Sequence, residues 1–139
     1  MDARSRQHFE LTIARFIEQM KVAGFSPRTI DSYRSHLTIF IVYLNAETDV
    51  EQITAVTPEV LHGYQVHLYG VTDDRGRGLA IATQAARLSV VRSLFRHLVK
   101  ADVLVYDPAA SLQLPRRKGM LPRSVLTRKE MARLLAAPD

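Results

Sequence analysis

At 139 residues the chain has the length of about one domain, and 47% hydrophobic residues are enough to build a core. It has no cysteine, which excludes disulfides, zinc–thiolate sites and thiol catalysis and fits a reducing cytosol. Net charge is +5 and the pI about 9.9, in the range that flags nucleic-acid binding, and residues 1–74 carry −4 while residues 75–139 carry +9.

Helical periodicity runs through the chain. Phe9, Ile13, Phe16, Ile17 and Met20 predict a first helix over about Ser5–Val22, stopped by Gly24. A second begins at "SPRT", with Ser26 as cap and Pro27 at the first helical position, where its missing N–H costs nothing. Its apolar face is Ile30, Tyr33, Leu37, Phe40 and Leu44, with Arg28, Asp31, Ser32 and Ser35 opposite. Ile39 and Val42 fall on that polar side, so the second half reads as buried all round.

"NAETDVEQIT" is polar and reads as a loop. A short third helix starts at "TPEV", again cap then proline, and runs to about Leu68 with Val60, Leu61, Tyr64 and Leu68 apolar. "GVTDDRGRG" reads as a flexible loop. Its two spaced glycines lack the third of a dinucleotide fingerprint and no strand precedes them. The fourth helix runs from about Ala80 to Lys100, with a core stripe of Ile81, Ala85, Leu88, Val91, Phe95 and Leu98. Arg92, Arg96 and Lys100 step along one flank, and Thr83 and Arg87 along the other. "DVLVYDPAASLQLP" reads as mostly extended, with a turn at Asp107–Pro108 and "VLVY" as a short strand lacking a partner. "RRKGMLPR" is a basic linker. "VLTRKEMARLLAAPD" then launches a last helix, with Thr127 and Glu130 as a capping box.

Chemistry of the enzymatic kind finds little support. The five histidines are scattered and form no H-E-x-x-H, so each reads as structural. Asp73–Asp74 sit in a loop, a poor place for preorganised acid–base work. There is no G-x-S-x-G. The polar N-terminus is unlike a signal peptide, and the longest apolar run, "IFIVYL", is too short to span a bilayer, so a cytoplasmic protein without a membrane partner is expected.

Duplex DNA suits the residues better. Phosphates need Lys, Arg and helix N-termini, and base edges need short polar groups on a helix that fits the major groove. Arg28, Thr29, Ser32 and Ser35 on helix 2 and Thr83, Gln84 and Arg87 on helix 4 offer such groups, and the small Ala82 and Ala86 allow close approach. Taken singly, each reads rather as an ordinary cap or a solvated surface residue, and it is the set, with the charge asymmetry, that favours DNA. Two other readings stay open. One is a helical protein-interaction module using Ile39 and Val42. The other is a helix-turn-helix regulator built on "AGFSPRTIDSYRSHL".

The segment "FSPRTIDSYRSHLTIFIVYL" resembles the opening helices of the core-binding domain of tyrosine recombinases, the phage-integrase and Xer type. The matching positions are Ser26, Thr29, Tyr33, Leu37, Phe40, Tyr43 and Leu44. Further on, Thr83, Arg87, Leu88, Ser89, Arg92, Phe95, Leu98, Asp107, Pro108, Leu112 and Pro115 fit that family's last core-binding helix and its exit. The resemblance implies an all-α fold, a small four-helix SAM-like bundle over residues 1–114. A basic interdomain linker over 115–126 and the start of a truncated catalytic domain over 127–139 would follow. It implies double-stranded DNA as partner, with helices 2 and 4 near the major groove and Arg116, Arg117 and Lys118 along phosphates. Other recombinase protomers would be further partners in a full-length protein, while the chain alone would be monomeric.

No metal or nucleotide cofactor is implied. That family's catalytic tyrosine, arginines, lysine and histidines lie beyond the first helix of its second domain. Here no histidine opens an H-x-x-R, so catalysis is expected to lie outside this chain. Tyr33, Tyr43, Tyr64, Tyr69 and Tyr106 read as structural. The last dozen residues are expected to be poorly ordered or loosely docked.

Overall fold

The computed structural model describes residues 2–116. Within them are four α-helices, α1 (Ala3–Val22), α2 (Pro27–Glu47), α3 (Pro58–Gly70) and α4 (Ile81–Lys100), with one 3-10 turn at Ile53–Ala55. No strand forms among the described residues, so the architecture is all-α, the SAM-like bundle that the sequence implied. The basic linker, the last helix and its expected loose docking lie, from Arg117 onward, outside the described residues.

Three of the four starts are set by side chains. Asp2 Oδ1 accepts from the Ser5 amide at 2.8 Å, so α1 begins two residues earlier than periodicity indicated. That bond holds the Asp2 carboxyl below its usual range. Ser26 Oγ accepts from the Thr29 amide at 3.2 Å, and Thr57 Oγ1 from the Val60 amide at 3.2 Å. Proline follows both caps. Gly24, at φ +88°, closes α1: the Phe25 amide reaches back to the Met20 carbonyl at 3.1 Å. Asp102 performs the same reversal after α4 at φ +60°, with the Val103 amide on the Leu98 carbonyl at 2.9 Å.

The core joins all four helices. Phe9, Phe16, Ile17 and Met20 face it from α1, and Leu37, Phe40 and Leu44 from α2. Leu61, Tyr64 and Leu68 come from α3, and Leu88, Val91, Leu94, Phe95 and Leu98 from α4. Helix α2 lies between α1 and α4, and α3 packs on α4. Phe40 stands at the centre, edge-on to Tyr64 at 5.0 Å and to Phe95 at 6.3 Å.

Several expectations need correction. The second half of α2 is not buried all round: Val42 is 60% exposed, because no element covers that side. The buried arc of α4 is broader than one stripe. It takes in Val90 and Leu94, and Ile81 and Ala85 are only half-buried, because two helices pack against α4. "GVTDDRGRG" is a tied turn. Asp73 Oδ1 accepts from the amides of Arg75 and Arg77, both at 2.9 Å, and Asp73 Oδ2 pairs with Arg77 Nε at 3.0 Å. Thr72 and Gly78 form a single antiparallel bridge, and Gly76 supplies the turn's positive φ of 77°.

The polar loop after α2 holds two core residues, Ile53 and Val56. His8 Nε2 on α1 accepts from the Ile53 amide at 3.0 Å, a structural role for that histidine. After α4 the chain is irregular instead of extended: "VLVY" forms no strand, and Val105 is fully exposed. The turn at Asp107–Pro108 is present, with Asp107 Oδ1 accepting from the Ala109 amide at 2.8 Å. Gln65 Nε2 on α3 then donates to the Gln113 carbonyl at 2.8 Å and ties down the exit. Tyr43 and Tyr64 are core residues and Tyr33 is half-buried, but Tyr69 and Tyr106 lie on the surface.

Candidate nucleic-acid interface

Helical spacing puts Arg28, Ser32 and His36 on one line of α2, and Thr83 and Arg87 on one line of α4. Arg28, Ser32 and Ser35 are exposed and Thr29 is half-buried beside its cap, where its hydroxyl accepts from Ser26 Oγ at 3.0 Å. On α4, Ala82 and Ala86 are exposed, and Thr83 and Arg87 are half-buried. Each line includes a half-buried residue, His36 on α2 and Arg87 on α4. Burial lowers the His36 pKa, and the Arg87 charge lowers it further.

Gln84 does not belong to this surface. It is 5% exposed, and its side-chain amide donates to the Leu79 carbonyl at 3.0 Å. The N-cap residue of α4, Ala80, has no capping side chain, and Gln84 fastens the incoming chain instead. Sequence placed Gln84 beside Thr83 by type alone. Its position one turn before Leu88 on the buried line was the available signal.

Arg116 is exposed at the end of the described chain, and Arg117 and Lys118 lie outside the described residues. Arg92 and Ser93 are half-buried, while Arg96 and Lys100 are exposed on the same helix. The one ion pair among the described residues is Arg77–Asp73, so the cations of α2 and α4 have no acidic partner there. No group of three or more His, Asp or Glu could hold a metal ion among the described residues. No described helix is long and apolar enough to cross a membrane.

Three buried polar atoms have no hydrogen-bond partner among the described residues: His36 Nδ1, Tyr64 OH and Arg87 Nε. They come from α2, α3 and α4. Sequence reasoning treated His36 as a lone structural histidine and Tyr64 as plain core. Nothing in the linear pattern signals that a polar atom of each is left without a partner among the described residues.

Residues 13–104 match the family described as phage integrase, N-terminal SAM-like domain. Tyrosine recombinase XerC 2 of Ralstonia nicotianae is 31% identical over 133 residues, covering 93% of this chain and 38% of the relative. Tyrosine recombinase XerC of Psychromonas ingrahamii is 35% identical over 102 residues, covering 73% of this chain and 32% of the relative. Tyrosine recombinase XerD of Halalkalibacterium halodurans is 28% identical over 128 residues, covering 91% and 40%. The chain thus spans about two fifths of the length of such relatives. No solved structure gives a significant match.

Proposed function

Because this chain belongs to the phage-integrase N-terminal SAM-like family of the tyrosine recombinases, we propose that it is a DNA-binding module that clamps one side of a duplex at a recombination site. The observation that carries the reading is that α2 and α4 each keep a polar line apart from their core face. Arg28, Thr29, Ser32 and Ser35 of α2 and Thr83 and Arg87 of α4 present short polar groups and cations without an acidic partner among the described residues, on helices whose other faces are locked into the core. Arginine contributes charge-assisted bonds to phosphate, and Ser and Thr reach base edges or phosphates alike. Ala82 and Ala86 leave room for the α4 backbone to approach the groove. Arg116, with Arg117 and Lys118 beyond the described residues, would add phosphate contacts.

The chain itself is proposed not to cut DNA. No histidine in it opens an H-x-x-R, and its two core tyrosines are enclosed. Strand cleavage would belong to a partner domain, and the working place would be the cytoplasm, where the duplex is. Contact with neighbouring protomers would use the exposed Val42 beside the groove between α1 and α2, lined by Phe9, Ile13 and Ile41.

Fluorescence anisotropy with a labelled duplex tests the reading. Binding is expected at low salt, weakening as salt rises with a log–log slope of about 0.9 per phosphate neutralised. No binding at low salt, or affinity indifferent to salt, would sink it.

A further inference from the structure

A cleft of about 450 Å³ opens where the end of α1, the start of α2 and the end of α4 come together. Its aromatic lining is Phe16, Tyr33 and Phe25. The Phe16 and Tyr33 rings lie 6.2 Å apart at an angle of 29°, and His97 adjoins Phe16 at 5.3 Å. Phe25 stays 49% exposed. Its backbone is fixed on both sides: its own amide donates to the Met20 carbonyl at 3.1 Å, and Ser26 after it caps α2. The charges lining the cleft are Arg96 and Lys100, both exposed and both without an acidic partner among the described residues. Burial holds His97 below its ordinary 6.5, so its ring adds no charge at neutral pH.

The cleft continues a face of α4 that the duplex-binding reading already uses. Ala82, Ala86, Ser89, Ser93, Arg96 and Lys100 follow one another at three- and four-residue spacing, so they share one line of the helix. Over the 20 residues of α4 that line is about 30 Å long. It begins with small side chains that permit close approach and ends at the cleft with two cations. Within a duplex each base is covered by its stacked neighbours, so a ring in a cleft has no base face to meet. An aromatic ring beside cations suits a nucleotide whose base is free, because stacking then adds to the attraction for phosphate.

We propose that this cleft is a subsite for one unpaired nucleotide of a DNA strand running on from the duplex, with its base stacked on Phe25 and its phosphate held by Arg96 and Lys100. The subsite rests on the DNA-binding reading and adds to it a preference for duplexes that end in a single strand. An acidic peptide with an apolar anchor would meet the same rings and cations. The continuity of the cleft with the α4 line favours DNA, since a strand following that line arrives at Arg96 and Lys100.

The 139-residue chain has no tryptophan, so Phe25→Trp places a single fluorophore in the cleft. A duplex with a short single-stranded extension, tried on either strand, should quench it, and a blunt duplex of the same sequence should not. By anisotropy the wild-type chain should bind the extended duplex about fivefold tighter or more, the worth of one stacked base. Phe25→Ala should lose that preference and keep its affinity for the blunt duplex, while Phe25→Tyr keeps both. Equal affinity for the two duplexes, or a preference that survives Phe25→Ala, would overturn the subsite and leave the duplex reading standing. Quenching by a single strand in a chain that binds no blunt duplex would sustain the subsite and remove the duplex reading instead. Quenching by an acidic peptide carrying one phenylalanine, with none by either DNA, would overturn the proposal in favour of a protein partner.

Discussion

Gly63 of α3 and Tyr43 of α2 approach so closely that a Cβ on the glycine would sit 2.8 Å from the tyrosine hydroxyl oxygen. Real Cβ contacts essentially never come that near, so one of the two must move. Tyr43 has little freedom to do so. Its ring is pinned by Tyr64 at 5.1 Å and His67 at 5.0 Å. Glycine in mid-helix is usually a weakness, and here it lets α3 seat against α2.

Gly63→Ala should therefore destabilise the bundle despite the gain of about 1 kcal/mol in helix propensity. Overpacking of about 1–3 kcal/mol outweighs it. Thermal melts of the variant and of Gly63→Ala/Tyr43→Phe decide the cause. Removing the hydroxyl should return most of the loss.

Phe40→Ala should cost about 3–5 kcal/mol, since its ring is 0% exposed between Tyr64 and Phe95. Urea denaturation gives the number. A loss below about 1 kcal/mol would mean that α2 does not hold the centre of the core.

Acidification should loosen the fold in a defined window. Burial, aided by Arg87 on α4, holds His36 below its ordinary 6.5, and burial alone does so for His97. The Phe16 ring faces His97 from α1 at 5.3 Å. In the folded chain both rings stay neutral at a pH where the unfolded chain has protonated them. The unfolded state then binds more protons, so stability is full above 6.5 and falls as pH drops through the lower folded values. Asp2 and Asp73, held below 3.8, act only in a more acidic range. Tm should fall from about pH 7 to about pH 5.5, and less so in His36→Gln. A pH-independent Tm over that range would contradict this.

Arg28→Ala and Arg87→Ala should each weaken duplex binding and lower the magnitude of the salt slope by about 1, with Tm little changed for the exposed Arg28. Gln84→Ala should act the other way round. It should lower Tm by loosening the start of α4, and leave the salt slope alone.

Asp73→Ala should leave the bundle intact and free the turn between α3 and α4. The carboxylate takes two backbone amides and the Arg77 Nε, and no neighbour can replace it. Hydrogen exchange at the Arg75 and Arg77 amides should speed up while α2 amides stay protected. Unchanged exchange at those amides would show that the glycines alone hold the turn.

What was legible in the sequence was what local chemistry writes. Ser26–Pro27 and Thr57–Pro58 mark the starts of α2 and α3 to the residue, and the apolar periodicity finds most of the core. Contacts across the bundle were not legible. Val42 looked enclosed because periodicity cannot say that no partner covers a face. The turn at Asp73 looked loose because glycine and charge mark flexibility unless one carboxylate gathers the amides. Gln84 looked like a reader because residue type does not reveal a bond to a carbonyl five positions back. The unmet polar atoms of His36, Tyr64 and Arg87 lie furthest from the linear pattern, since periodicity marks burial and says nothing of partners.

Helices α2 and α4 each own a share of the core on one side and carry the exposed polar line on the other. That division has an evolutionary consequence. Ser32, Ser35 and Thr83 can be exchanged for other short side chains without disturbing Leu37, Phe40, Leu88 or Phe95, so the surface can change while the scaffold is inherited unchanged. Arg87, rooted in the interior, is the position least free to drift.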